Sequence, residues 1–206
     1  RAAAWLSAIA SYRRAPWGDP AAGQTAVLVV DAQRAFFEKR FHAFLPAAPA
    51  ILPNLMRLVG EAERAGARII LTRHAERSGE ASEAMARFWG RSIADGTPEA
   101  EMLAPFAERG GSIIRKASYD AFFDTMLEER LREMGVRWIA VAGVMTDLCC
   151  ETTARSAFVR GFFPIFLADA TAAKTEELHL SALRTLAHGF AELNTVEEFL
   201  KRMGVR

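Results

Sequence analysis

Thr25-Ala-Val-Leu-Val-Val-Asp31 sets the frame for the whole chain. Apolar residues follow one another without the alternation of a half-solvated strand, so both faces of this strand are expected to be covered, as in a parallel sheet. The run ends in an acid. A carboxylate at the end of such a strand is too costly to bury without a partner, so Asp31 is a candidate cap, metal ligand or base.

Working outward, similar runs recur between helical patterns. Ala67–Thr72, Ser112–Lys116, Trp138–Gly143, Phe163–Leu167 (ending at Asp169) and Phe190–Leu193 read as strands. Residues 48–65 place Ile51, Leu52, Leu55, Leu58, Val59 and Ala62 on one helical face, and Gly66 stops that helix. Further helices are expected near Glu80–Trp89 and over 99–107, 123–134, 148–160 and 175–188. In the helix over 123–134, Met126, Leu127, Leu131 and Met134 are expected to face inward. Thr195-Val-Glu-Glu198 is a capping box that opens a last helix. Strands alternating with helices at this spacing make βαβ units, hence an α/β fold with a mostly parallel sheet between helical layers. Residues 75–98 form a long polar loop around the Glu80–Trp89 helix, a length usually tied to function.

The chain of 206 residues fits one domain. Residues 1–20 read as an N-terminal helical extension and linker, with Trp5, Leu6 and Ile9 on one face of a helix over 2–12, and residues 21–206 as the domain proper. Twenty-six Lys and Arg balance 25 Asp and Glu, without a basic stripe or an acidic block. Nucleic acid is therefore not expected as a partner, and a small molecule is. Apolar stretches are too short for a membrane span, and residues 1–14 lack the order of a signal peptide. The two cysteines, Cys149 and Cys150, are adjacent, which disfavours a disulfide and suggests a reducing, cytoplasmic setting.

In a parallel sheet, ligands gather at the carboxyl ends of the strands. Asp31, Lys116 and Cys149 all lie at or just past such ends. Cys149 opens a helix that Thr146 or Asp147 can cap, where free amides and the helix dipole would lower its thiol pKa. A thiol, a carboxylate and an ammonium in one crevice are the components of acyl transfer. The plainer readings are an inert buried cysteine and a structural Asp–Lys pair. His74 can line the pocket, and Phe36, Phe37, Trp89, Tyr119 and Phe122 can wall it. No His-x-x-x-His spacing or glycine-rich phosphate loop occurs, so neither a metal nor a cofactor is expected.

Val30-Asp31-Ala32-Gln33 with Phe36, Arg115–Tyr119 with Ala121-Phe122, Gly143–Arg155 and Leu167-Ala-Asp169-Ala170 together resemble the isochorismatase-like cysteine hydrolase superfamily. The resemblance runs from about residue 24 onward. It implies a three-layer αβα sandwich of Rossmann type with a six-stranded sheet, and a catalytic trio of Asp31, Lys116 and Cys149. It also implies a cis peptide at Val144–Met145, an oxyanion hole from the amides of Met145 and Cys149, and a homo-oligomer, dimer or tetramer. Phe88-Trp89-Gly90 and Tyr119-Asp120-Ala121-Phe122 resemble the isochorismate-cleaving branch, which has Gly at the thiol position. Cys149 favours the amidase branch. The metal cluster of nicotinamidases is not visible in the spacing, so the expected substrate is another small amide, ureide or carbamoyl compound. A vinyl ether hydrolase and a thiol redox protein are the alternatives.

Overall fold

A computed structural model describes residues 1–80, 82–109 and 112–205, with Ser112 described by its backbone. Six strands form one sheet: β1 (Thr25–Val30), β2 (Arg68–His74), β3 (Ser112–Lys116), β4 (Trp138–Val144), β5 (Phe163–Ala172) and β6 (Glu192–Asn194). Every pairing is parallel, and the order is β3-β2-β1-β4-β5-β6. β1 is central and buried at every residue, as its unbroken apolar run requires.

Alternation along β1 divides the core. Val27 and Val29 face a layer built by α2 (Arg34–Phe37), α3 (Ala48–Arg64), α5 (Ala104–Ala107) and α9 (Val196–Arg202). Ala26, Leu28 and Val30 face the opposite layer of α1 (Ala2–Ala8), α6 (Leu127–Glu133), α7 (Glu151–Val159) and α8 (Glu176–Gly189). The first segment is part of that second layer. Leu6 and Ile9 are buried, Trp5 donates to Glu176, Trp17 stacks on Phe163, and Arg13 bonds the Leu193 carbonyl. The N-terminal aromatics thus have places on the domain itself.

Several boundaries differ from the sequence reading. The helix expected over 99–107 is two short turns, Pro98–Ala100 and Ala104–Ala107. The one expected over 123–134 begins at Leu127, because Asp124 takes a left-handed φ of 54° that a helix cannot continue through. Leu127 and Leu131 are buried, but Met126 faces solvent and Met134 is only partly covered. The helix near Glu80–Trp89 is α4 (Glu83–Trp89), capped by Ser82; Ala81 lies outside the described residues. β5 runs past Leu167 to Ala172 through a register shift against β4. Asp169, within that irregular stretch, accepts from the Val196 amide and so fixes the start of α9. The Thr195–Glu198 capping box is present.

Gly143 shows why β1 and β4 can approach. Its φ is +111°, and an added Cβ would stand 2.0 Å from the Val30 carbonyl oxygen. Only glycine fits both conditions.

Candidate active site

Asp31 is the first residue beyond β1 and has a positive φ of 51°, a conformation that Asp tolerates better than most residues. Its amide meets the Thr72 carbonyl at 3.2 Å, and the Thr72 hydroxyl donates to Asp31 Oδ1 at 2.7 Å. Gln33 then ties the ends of β1 and β2 together. Its Nε2 donates to the carbonyls of His74 and Ala100, and its Oε1 accepts from the His74 amide.

Lys116 is the last residue of β3, in register with His74 of β2. β3 lies two strands from β1, a separation of about 10 Å. The lysine stem spans it over the end of β2. Its Nζ stands 2.7 Å from Asp31 Oδ2, 3.3 Å from Cys149 Sγ and 3.0 Å from the Ser118 carbonyl. The Asp31 contact is a fully buried ion pair. Cys149 arrives from the other side of β1, on a π-helical turn, Thr146–Cys150, that follows β4. The amides of Leu148 and Cys150 both bond the Met145 carbonyl, and the Val144–Met145 peptide is cis. Asp31, Lys116 and Cys149 are all buried.

The expected cap is not made. Neither the turn nor α7 has a side-chain cap, and Thr146 instead bonds His179 Nδ1 at 2.9 Å. The thiol is not a resting thiolate either. Burial pushes Cys149 up to about 12, outweighing the Lys116 ammonium, and the thiol donates toward Asp31. Burial opposes the charge on Lys116, but the Asp31 carboxylate beside it holds the ammonium charged. The resting site is thus a neutral thiol beside a buried ion pair.

Of the other residues expected to line the pocket, His74 reaches the trio. A ring nitrogen of His74, an Asp31 carboxylate oxygen and Cys149 Sγ lie within 4.8 Å of one another. Tyr119 is half-buried, and its hydroxyl accepts from the Trp89 indole N–H. Phe122 is buried against Phe162 beneath the Arg160 guanidinium. Phe36 and Phe37 are buried in the core layer on the other side of the sheet from Cys149. Gln33 and Thr72, which position Asp31 and His74, were missed. A buried Gln just after a strand was the one available signal. Two surface cavities, one at Gly66–Ile69 and one at Glu197–Val205, lie away from the trio.

Sequence spacing gave no metal cluster, yet the fold assembles three possible donors of mixed character, the Asp31 carboxylate, the His74 imidazole and the Cys149 sulfur. The Lys116 ammonium already contacts two of them. A divalent ion there would face a buried positive charge, so the trio suits proton transfer better than coordination.

With this geometry, the relatives can be weighed. The isochorismatase domain model matches residues 25–198. The chain belongs to the isochorismatase family. Within it, nicotinamidase 3 of Arabidopsis thaliana is 38% identical over 180 residues, covering 85% of this chain and 86% of that one. Ureidoacrylate amidohydrolase RutB of Methylorubrum extorquens is 29% identical over 203 residues, covering 86% and 82%. A cysteine hydrolase from Pseudomonas syringae superposes with a TM-score of 0.86 at 28% identity, covering 93% and 96%. This isochorismatase-family chain is a cysteine hydrolase acting on the C–N bonds of small amides.

Proposed function

We propose that Cys149 is the nucleophile, Asp31 the base that takes its proton and Lys116 the cation that steadies both. The supporting observation is the double contact of Lys116 Nζ, 2.7 Å from the carboxylate and 3.3 Å from the sulfur. As Sγ attacks the amide carbon, the thiol proton passes to Asp31. The amides of Met145 and Cys149, at the turn beside the sulfur, hold the oxyanion. Collapse breaks the C–N bond, and the departing amine takes the proton from Asp31. Water then cleaves the thioester and releases the acid.

The substrate is a small amide, ureide or carbamoyl compound. The closed setting of the trio favours a flat, compact molecule, with Trp89 and Tyr119 at its entrance; Phe36 and Phe37, across the sheet from Cys149, support the fold rather than the pocket. Nicotinamide stands at the front of the panel, because the chain is 38% identical to a nicotinamidase. A vinyl ether hydrolase would need no thiol at position 149. Redox pairing is disfavoured because Cys150 is buried in the core beside Cys149, and both cysteines are free. Residues 1–20 act as part of the domain's helical layer. A reducing cytoplasmic setting suits these two thiols, and among the described residues no helix is long and apolar enough to cross a membrane. Exposed Phe88, Trp89, Phe123 and Met126 support assembly into a dimer or tetramer, which light scattering measures.

The test is ammonia release from nicotinamide, a ureido acid and a carbamoyl amino acid, with isochorismate as the control for vinyl ether cleavage. Release from one amide, abolished by Cys149→Ala, supports the reading. Pyruvate from isochorismate with no ammonia from any amide would overturn it.

A further inference from the structure

We infer that His74, oriented by Glu76, is the base that activates water in the second half of the reaction; this rests on the thioester route proposed above. His74 ends β2 and is buried with its ring beside the trio. Its Nε2 faces Glu76 Oε1 at 3.5 Å, and Glu76 is itself buried. A carboxylate on Nε2 favours the tautomer with the proton on that nitrogen, leaving the Nδ1 lone pair free. Nδ1 is buried and has no hydrogen-bond partner in the structure. An orphaned buried acceptor is costly unless something fills its need.

Asp31, Lys116, Glu76 and the Ser118 carbonyl are the polar groups that face the ring. Burial, followed by Lys116, lowers the pKa of His74, so the ring is neutral and able to accept a proton. Asp31 is less free for this second step. Thr72 holds Oδ1, Lys116 holds Oδ2, and the carboxylate lies against the sulfur. A His74 ring nitrogen lies within 4.8 Å of Sγ, within the span that one water bridges between the ring and a carbonyl carbon on that sulfur.

The step balances. Water oxygen bonds to the thioester carbon as its proton moves to Nδ1. The tetrahedral oxyanion collapses and the C–S bond breaks. The imidazolium then returns its proton to Sγ, restoring the thiol and releasing the acid.

The experiment is rapid-quench kinetics on His74→Gln and His74→Asn with the amide the enzyme hydrolyses, read with intact-protein mass. Expected is a first-turnover amine burst within about fivefold of the native rate, and steady turnover about 10²–10³-fold lower. An acyl adduct accumulates on Cys149, and hydroxylamine, which needs no base, restores turnover as hydroxamate. Glu76→Gln shows the same adduct with a smaller loss, and serves if both His74 variants fail to fold. Burst and steady rates falling together without adduct would overturn the role of His74. Absence of any hydroxamate from the native enzyme would instead sink the thioester route itself.

Discussion

The Lys116 ammonium and the Asp31 carboxylate stand 2.7 Å apart with neither side chain exposed. Each neutralises a charge that the core could not otherwise hold. Removing one partner alone leaves an unpaired buried charge, which costs about 3–5 kcal/mol. Asp31→Ala and Lys116→Met are each expected to lose that much stability and all turnover. The double variant Asp31→Asn with Lys116→Met should recover part of the stability and none of the activity. Urea unfolding beside the ammonia assay reads both; a double variant no more stable than the singles would contradict the pairing argument.

The two cysteines differ in reach. Cys149 contacts Lys116 and Asp31, whereas Cys150 is packed in the core. Cys149→Ala should abolish turnover with little loss of stability, and Cys150→Ala should retain most of it. In the Cys150→Ala background, iodoacetamide alkylation of the resting enzyme should keep rising with pH well beyond 9, since burial pushes the Cys149 thiol up to about 12. A rate that levels off near pH 7 would show a resting thiolate and refute this.

His179 links the Thr146–Cys150 turn to the first helix. Its Nδ1 bonds Thr146, and its ring packs 4.5 Å from that of Trp5. Burial lowers its pKa to about 4 from an ordinary 6.5. A depressed pKa means the unfolded chain binds the proton first. The stability contributed is therefore full above about pH 6.5 and is lost as pH falls toward 4, an effect of roughly 3 kcal/mol. His179→Gln should be less stable at neutral pH but show a shallower fall of unfolding midpoint across that window. Parallel pH profiles for the two proteins would assign the titration elsewhere.

Gly143→Ala should fail to give soluble folded protein, because the new Cβ meets the Val30 carbonyl oxygen at 2.0 Å in a backbone with φ +111°. Circular dichroism of the purified variant checks this. A native melting curve would mean that β1 and β4 can separate without cost.

Much of this site is legible in the sequence. A parallel sheet brings the carboxyl ends of its strands to one edge, so acids, amines and thiols just past apolar runs must be neighbours. Asp31, Lys116 and Cys149 were found on that rule alone. Tyr119 and Trp89 do meet, hydroxyl to indole. The helix starts were misread at 123 and 148, because the left-handed Asp124 and the π turn at Thr146–Cys150 leave no plain mark in composition.

By itself the sequence determined the layering and the chemical trio, since strand periodicity and strand-end chemistry are local properties of the chain. Tertiary structure alone decided the rest. Strand order made Lys116 reach across β2, burial turned the expected thiolate into a neutral thiol, and packing set Leu6 and Ile9 into the second helical layer. It also brought His74 to the sulfur and set Glu76 against the far side of its ring. Distance and desolvation depend on residues far apart in the chain, and no local pattern carries them.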